Sequence, residues 1–596
     1  MEINKFNDEI KEKLKKYIDD FFYKNLSELT EDELKKQINP KSMMIEKNIP
    51  KNIPKNVLNK DNLCVFNEAP ESGLWYNWAS DVGKKYCAIS YSAGTTWIFN
   101  NLLPLTPPII YIFDINDVKC EKKMKPLFKL NLKTNEANGI RSLLLIEDDK
   151  SNPYCLIGTF EYPNKTGIYN VKLLKWNFIK NKLNTITTIK QDNSIRQIIR
   201  YKNKYNDLIL FSTQNDTFFS AKSKLYWIKK NDIDHINKCE TNYTHYIKLI
   251  YKKKCITGSI WDFFIDNDTI YISIPLVMKD ANKLSGYRIL ARLFYFNMNS
   301  LFFLFQIKKK VNVYNLIGND KYPPGFNINS ISTVQVITNH KSKYVYIYSL
   351  SDFLYQIAFL KNNPNSIQII QNKLGVKFNQ VDQNNLLDLI LELRKILLNF
   401  DIEGTRIFKF KKSDLYKNDI LISTVVGDAP YGTLNLSTTS NGYNSYTNLY
   451  TWCATTCGND YYFGTLDLRS EIYNLLVSLI ISIFPNQNLC QFLLTLPQKQ
   501  IIIITELFNP NFCIGNLENL PDKQLYFDII KINSHHQDKI TSNGFNINNG
   551  LNKNADDGVR NLNIIKHCDN NYLLVGTTCY QVDNVSKNYL IKINDN

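Results

Sequence analysis

Beyond residue 61 the chain is dominated by short runs rich in Ile, Tyr, Phe, Val and Leu, separated by Asn, Asp, Gly and Lys. Runs of β-branched and aromatic residues between turn formers predict strands and tight turns. Periodicity in the first 38 residues is different. Ile10, Leu14, Ile18 and Phe22 recur at helical spacing amid Lys, Glu and Asp, which predicts a helical extension over residues 1–38. Residues 39–61 contain the near-duplicate Lys47-Asn48-Ile49-Pro50 and Lys51-Asn52-Ile53-Pro54. Their prolines prevent regular backbone pairing, so this stretch reads as a linker.

The apolar runs recur in one phrase. A small or polar residue, a β-branched residue and then Arg or Trp open a short strand; after a polar turn, an aromatic-rich strand ends in Gly-Thr or an equivalent pair. Asn138-Gly139-Ile140-Arg141 leads to Tyr154-Cys155-Leu156-Ile157-Gly158-Thr159, and Asn193-Ser194-Ile195-Arg196 leads to Leu208–Thr213. Gly258-Ser259-Ile260-Trp261 leads to Ile270–Pro275, and Asn329-Ser330-Ile331-Ser332 to Tyr344–Tyr348. Tyr450-Thr451-Trp452 leads to Tyr461-Tyr462-Phe463-Gly464-Thr465, and Asp557-Gly558-Val559-Arg560 to Tyr572–Thr577. A weaker copy runs from Leu74-Trp75 to Tyr86–Ser90.

Copies beginning at 138, 193, 258 and 329 are 55, 65 and 71 residues apart. That period is too long for one coil of a β-solenoid and suits a four-stranded sheet. Third strands are expected at Gly167–Val171, Lys224–Ile228, Arg292–Phe296 and Tyr589–Ile593. A single sheet of this kind cannot bury both faces, so each must pack on its neighbours and the series must close. The expected fold is therefore all-β: a β-propeller of seven four-stranded blades over residues 62–596. Two intervals are longer, 120 residues from Ile331 to Thr451 and 108 from Thr451 to Val559. Each must hold an insertion or a further degenerate blade. Leu386, Leu387, Ile390, Leu393, Ile396 and Leu397 have helical spacing, which predicts helical insertions near 383–400 and 470–496, the second broken at Pro485.

The phrases Glu403-Gly404-Thr405-Arg406-Ile407-Phe408, Val426-Gly427-Asp428-Ala429-Pro430, Tyr450-Thr451-Trp452 to Asp467, and Asp556–Arg560 to Val575-Gly576-Thr577 resemble a group of bacterial β-propeller proteins of largely unassigned function. The resemblance runs from about Trp75 to the C-terminus and implies the propeller fold without implying an activity. Ser90-Tyr91-Ser92-Ala93-Gly94-Thr95-Thr96-Trp97 is similar to the Asp-box of sialidase-like propellers, with Ser92 in place of its Asp. That resemblance implies a turn between strands, with Trp97 packed between blades.

Arginine placement is the sharpest chemical signal. Of nine arginines, Arg141, Arg196 and Arg560 share one repeat position, where Trp261 and Trp452 also stand. If this position begins the innermost strand, the side chains approach a central channel, and three guanidiniums there would form an anion site. The structural alternative is that each Arg bridges neighbouring blades through backbone carbonyls or a carboxylate such as Asp148 or Asp557. Hydrolysis of a glycoside would need paired carboxyls, or a Tyr nucleophile with a carboxylate partner. Asp262, Asp428, Asp467, Asp556 and Asp557 fall near strand ends, where turn formation is their default role.

Lys and Arg total 72 against 56 Asp and Glu, a formal charge of +16. The excess is spread in short Lys runs among many Asn and Ile, in the style of an AT-rich genome. Dispersed positive charge aids solubility and argues against a dedicated nucleic-acid face. The 12 Cys lack a framework spacing, and Cys453/Cys457, His535-His536 and His567-Cys568 lack the pairing of a zinc site. No metal or cofactor is implied. The start has no signal-peptide apolar core, and the longest apolar stretch, Tyr473–Phe484, is too short to span a bilayer. An intracellular, cytoplasmic or virion setting is expected. The residues point to a non-enzymatic binding or scaffold protein using a propeller face and channel mouth, with a protein partner or an anionic or glycan ligand. A sialidase-like carbohydrate-active enzyme acting at the channel mouth and weak polyanion or nucleic-acid binding are the alternatives.

Overall fold

Tyr154–Phe160 shows how an apolar run becomes sheet. All seven residues are buried, yet they divide between two cores. Cys155 and Ile157 pack with Ala88, Ile110 and Ile140; Tyr154 and Leu156 pack with Val171, Ile195 and Phe211. Successive side chains of a strand face opposite ways. An unbroken apolar run is therefore what a strand needs when both faces of its sheet are covered.

The protein is seen in a computed structural model that describes residues 63–71, 74, 76–93, 106–118, 123–133, 136–150, 152–161, 170–214, 223–235, 244–280, 286–303, 306–317, 331–351, 404–417, 420–429, 433–437, 448–467, 529–533, 543–545, 558–578 and 585–593. The expected extension over 1–38, the linker 39–61 and the insertions near 383–400 and 470–496 lie outside the described residues. So do Trp75, Trp97, His535, His536 and Asp557.

The described strands pair as successive antiparallel sets of four. The first is Ser80–Val82, Tyr86–Tyr91, Ile109–Asp114 and Phe128–Asn131. Gly139–Ile146, Tyr154–Phe160, Asn170–Asn177 and Lys182–Lys190 form the second, and Ser194–Lys202, Asp207–Gln214, Lys224–Lys229 and His245–Tyr251 the third. The fourth is Asp262–Asp266, Thr269–Ser273, Leu293–Asn297 and Tyr314–Ile317. Ile331–Ile337, Tyr344–Ser351, Ile407–Lys411 and Ser423–Val426 follow, then Asn448–Cys457, Asp460–Asp467, Ile529–Asn533 and Asn543–Phe545. In the last set, Gly558–His567, Asn570–Thr578 and Lys587–Ile593 are completed by Leu63–Glu68 from the other end of the sequence, with Leu63 opposite Ile591. The expected third strands near 170, 224, 293 and 589 are all present. Both long intervals open inside a set, between its second and third strands, after Ser351 and after Asp467.

Each set shares a core with the next. Leu208, Leu210 and Ile247 of the third meet Phe263, Ile270 and Phe294 of the fourth. Tyr295 meets Val334 and Phe408, Tyr346 meets Tyr461 and Ile530, and Tyr462 meets Val559 and Leu573. The last set packs on the first: Phe66, Leu574 and Leu590 share a cluster with Cys87, Ile89 and Phe113. A buried polar chain follows the same seam. Asn77 Nδ2 donates to Asn588 Oδ1 at 2.8 Å, Asn588 Nδ2 to the Tyr91 hydroxyl at 2.7 Å, and that hydroxyl to Asn67 Oδ1 at 2.9 Å. The fold is all-β and propeller-like. Among the described residues, no helix is long and apolar enough to cross a membrane.

The Gly-Thr phrase also has a packing cause. A Cβ at Gly464 would lie 2.6 Å from Val559 of the following set, and one at Gly576 would lie 2.6 Å from Asn77 Oδ1. Side chains of the neighbouring set press against the strand there, and only glycine leaves the room.

Candidate functional site

One irregularity recurs at the start of the first strand of the sets. Pairing slips by one residue between Ile140 and Ser142, Ile195 and Gln197, Ile331 and Thr333, Thr451 and Cys453, and Val559 and Asn561. The residues skipped are Arg141, Arg196, Ser332, Trp452 and Arg560. A β-bulge leaves one residue unpaired and re-aims its side chain. In the fourth set Trp261 stands just ahead of the first pair and donates its N–H to the Ser273 carbonyl. In the first set the register also slips, between Tyr76↔Ser92 and Ser80↔Ile89, across a stretch that holds Trp78.

These side chains meet one another. The Arg141 guanidinium lies 4.6 Å from the Trp78 ring centroid, Arg196 lies 3.4 Å from Trp261, and Arg560 lies 4.5 Å from Trp452. Every pair joins two consecutive sets. Tyr76 then links sets that are not consecutive: it stands 5.9 Å from Trp452 and 5.5 Å from Trp78. Tyr450 completes the wall at 5.6 Å from Trp452. An indole face is the best aromatic partner for a guanidinium, and the attraction strengthens when water is excluded.

The guanidiniums act on one another and on Tyr450. Burial, followed by the charges of Arg196 and Arg560, pushes the Arg141 pKa well down. Burial, with Arg196 among the further causes, lowers Arg560. Burial raises Tyr450, while all three guanidiniums pull it back. Asp262 is the carboxylate felt here. Burial lifts it to about 7, while the charges of Arg196 and Arg560 pull it back; the neighbouring Phe263 N–H donates to Gln197 Oε1 at 2.8 Å.

The three arginines are not equivalent. Arg196 is tied to protein, with Nε donating to the Trp261 carbonyl and Nη1 to Gln214 Oε1 at 3.0 Å. The Nε atoms of Arg141 and Arg560 are buried without a hydrogen-bond partner, as are Trp78 Nε1 and the Tyr450 hydroxyl. Bridging through a backbone carbonyl thus describes Arg196. Asp148, weighed as a partner for these arginines, instead pairs with Arg200 and Lys230, which hold its pKa well below the usual range.

All five residues singled out from sequence, Arg141, Arg196, Arg560, Trp261 and Trp452, stand at this position. Trp78, Tyr76 and Tyr450 were missed. The weak first copy was aligned on Leu74-Trp75, whereas the pairing aligns Tyr76-Asn77-Trp78 with Tyr450-Thr451-Trp452. The shared Tyr-x-Trp was the available signal. Of the Asp-box-like segment, Ser90, Tyr91, Ser92 and Ala93 are described: Ser92 bridges to Tyr76, and its Oγ accepts from the Ile140 N–H at 3.1 Å. Cys453 Sγ donates to the Val559 carbonyl at 3.3 Å, and burial raises its pKa. Among the described residues, no group of three or more His, Cys, Asp or Glu is placed to hold a metal ion.

No protein-family model matches the chain, and no curated protein matches it. Among solved structures it is similar to hydrazine synthase of Kuenenia stuttgartiensis, at 9% identity and TM-score 0.37 over 92% of this chain and 100% of that one. A GH43_1 enzyme from Xanthomonas citri is matched at 7% identity and TM-score 0.26, over 47% of this chain and 84% of the other. The GH93 α-L-arabinofuranosidase of Fusarium graminearum is matched at 9% identity and TM-score 0.28, over 48% and 80%. Likeness at this level carries no activity across to the chain.

Proposed function

We propose that the sets of strands are the seven blades of a closed ring, and that the protein is a binding protein whose ligand is a small anion held at the ring axis. Arg141 and Arg560 are the ligand-facing cations, Arg196 is the fixed one, and Trp78, Trp261 and Trp452 are the aromatic backing. The observation that carries this reading is the set of three guanidiniums laid on indoles of adjacent sets, two of them with a buried Nε left without a partner. Bringing three cations together out of water is costly unless charge of the opposite sign joins them. Asp262 supplies at most one negative charge. An oxyanion would receive the free N–H groups and relieve the mutual repulsion.

Isothermal titration of the whole chain with sulfate and with a simple carboxylate tests this. Saturable binding of either, abolished in the Arg141→Met/Arg560→Met double variant, is expected. Absence of binding to the folded wild-type protein would overturn the reading.

A second reading, a sialidase-like hydrolase, draws on the Tyr450 hydroxyl in the field of the three arginines and on Asp262, whose raised pKa suits a proton donor near neutrality. Turnover of a chromogenic sialoside, lost in Asp262→Asn, would favour it over simple binding.

A further inference from the structure

We propose that the outer edge of the third set is a docking surface for single-stranded nucleic acid, separate from the axial anion site. Its lysines are scattered in sequence, but the sheet gathers them. Lys224 stands directly opposite Lys248, and Lys248 directly opposite Lys310, whose short strand Lys310–Asn312 runs parallel beside His245–Tyr251. The Lys248 N–H donates to the Lys309 carbonyl at 3.0 Å, which holds that register. Residues opposite one another share a face of the sheet, and adjacent strands are about 4.8 Å apart. Three ammoniums are thus rooted in one row across three strands.

Like charges directly opposite destabilise a sheet. Among the described residues, no ion pair to a carboxylate joins any of the three. Asp192, an acid that feels Lys224, is held by the Thr213 hydroxyl at 2.6 Å. The next turn also keeps charge against its backbone chemistry. Lys252 and Lys253 join His245–Tyr251 to Lys254–Cys255, and their φ values are 47° and 63°. A two-residue turn with two positive φ angles favours Asn-Gly. Lys252, Lys253 and Lys254 are exposed, as are Lys308, Lys309 and Lys310.

Tyr246 decides which polyanion fits. Its ring is 42% exposed, and the Lys224 and Lys248 Nζ atoms lie 5.0 and 5.9 Å from its centroid. Phosphates would draw both ammoniums outward and free a ring face for a base. Cations along the backbone with an aromatic platform hold a single strand without sequence preference. An acidic peptide would engage the lysines and leave the ring idle.

Fluorescence anisotropy of a labelled oligothymidylate with the whole chain tests this. Affinity should fall by about two decades or more per decade of salt, as three neutralised phosphates require. Lys248→Gln/Lys310→Gln should weaken binding about tenfold and reduce that slope by about 1.4, without lowering the melting temperature, because it relieves the row. Tyr246→Leu should weaken binding about tenfold with the slope unchanged. Lys566 and Lys592, exposed on the last set, supply the control: Lys566→Gln/Lys592→Gln should change affinity less than about twofold. Arg141→Met/Arg560→Met should leave it unaltered, which separates this surface from the axial site. No binding at low salt, or a loss as large in the control as in the Lys248/Lys310 variant, would overturn the surface. Polyglutamate bound as tightly, with Tyr246→Leu without effect, would overturn the single-strand assignment, as would binding confined to vesicles rich in phosphatidylserine.

Discussion

Arg196 lies with its guanidinium 3.4 Å from the centroid of the Trp261 ring, while its Nε donates to that same residue's carbonyl. One side chain therefore holds both the face and the backbone of the next set. Arg141 and Arg560 have the stacking partner without the backbone tie. Arg196→Ala should destabilise the protein by about 2 kcal/mol, because it strands a buried carbonyl and Gln214. Arg141→Met and Arg560→Met should each lie within about 1 kcal/mol of wild type or above it, since removing one cation relieves the other two. Denaturant unfolding of the three variants checks the contrast.

Stability should decline as pH rises from acid to neutral. Burial raises Asp262 and Glu161 to about 7 and Asp81 to about 6, from ordinary values of 3.8, 4.5 and 3.8. Between the ordinary and raised values the unfolded chain has released these protons and the folded one has kept them. Folding then takes up protons, and stability falls with rising pH across that window. Asp148 has the opposite sign: Arg200 holds its pKa down, so its contribution is present above 3.8 and is lost in stronger acid. The melting temperature should be several degrees higher near pH 5 than near pH 7.5, and Asp262→Asn should flatten the slope. An unchanged slope in that variant would show that Asp262 does not carry it.

The repeat was legible because the second strands of the sets bury both faces and need an unbroken apolar run, as at Tyr86–Tyr91 and Tyr154–Phe160. The shared Arg/Trp position was legible because the bulge precedes a regular ladder and so keeps a fixed place in each copy. What escaped was the partnership. Sequence places Trp78 and Arg141 more than sixty residues apart, and nothing local says that a ring will lie under a guanidinium. Asp262 was visible only as a strand-end acid, since its raised pKa comes from burial that only the assembled sets create. The contribution of Leu63–Glu68 to the last set was equally hidden, for its partner strand begins at Lys587.

Gly464 makes the contact between consecutive sets testable. Gly464→Ala would bring a methyl group to 2.6 Å from Val559 and 3.0 Å from Cys453 Sγ. Both neighbours belong to packed strands with little room to yield, so a loss of about 1–3 kcal/mol is expected. The double variant Gly464→Ala/Val559→Ala should recover part of it, because the second change removes the atoms struck. Thermal unfolding of the single and double variants reads the rescue. A double variant no better than the sum of the singles would place the strain elsewhere.

The join between first and last sets rests on polar groups as well as on packing. Asn77 and Asn588 are 511 positions apart, hydrogen-bonded at 2.8 Å and buried, and Asn588 also donates to Tyr91. Removing either side chain leaves the other with an unmet donor or acceptor away from water. Asn77→Ala and Asn588→Ala should each cost about 2 kcal/mol. Asn77 also accepts from Asn561 Nδ2, so the two losses overlap without being identical. The double variant should therefore lose less than the sum, by about 1 kcal/mol. Urea unfolding of the two singles and the double measures that coupling. Strict additivity would mean that the two ends of the chain do not stabilise each other through this seam.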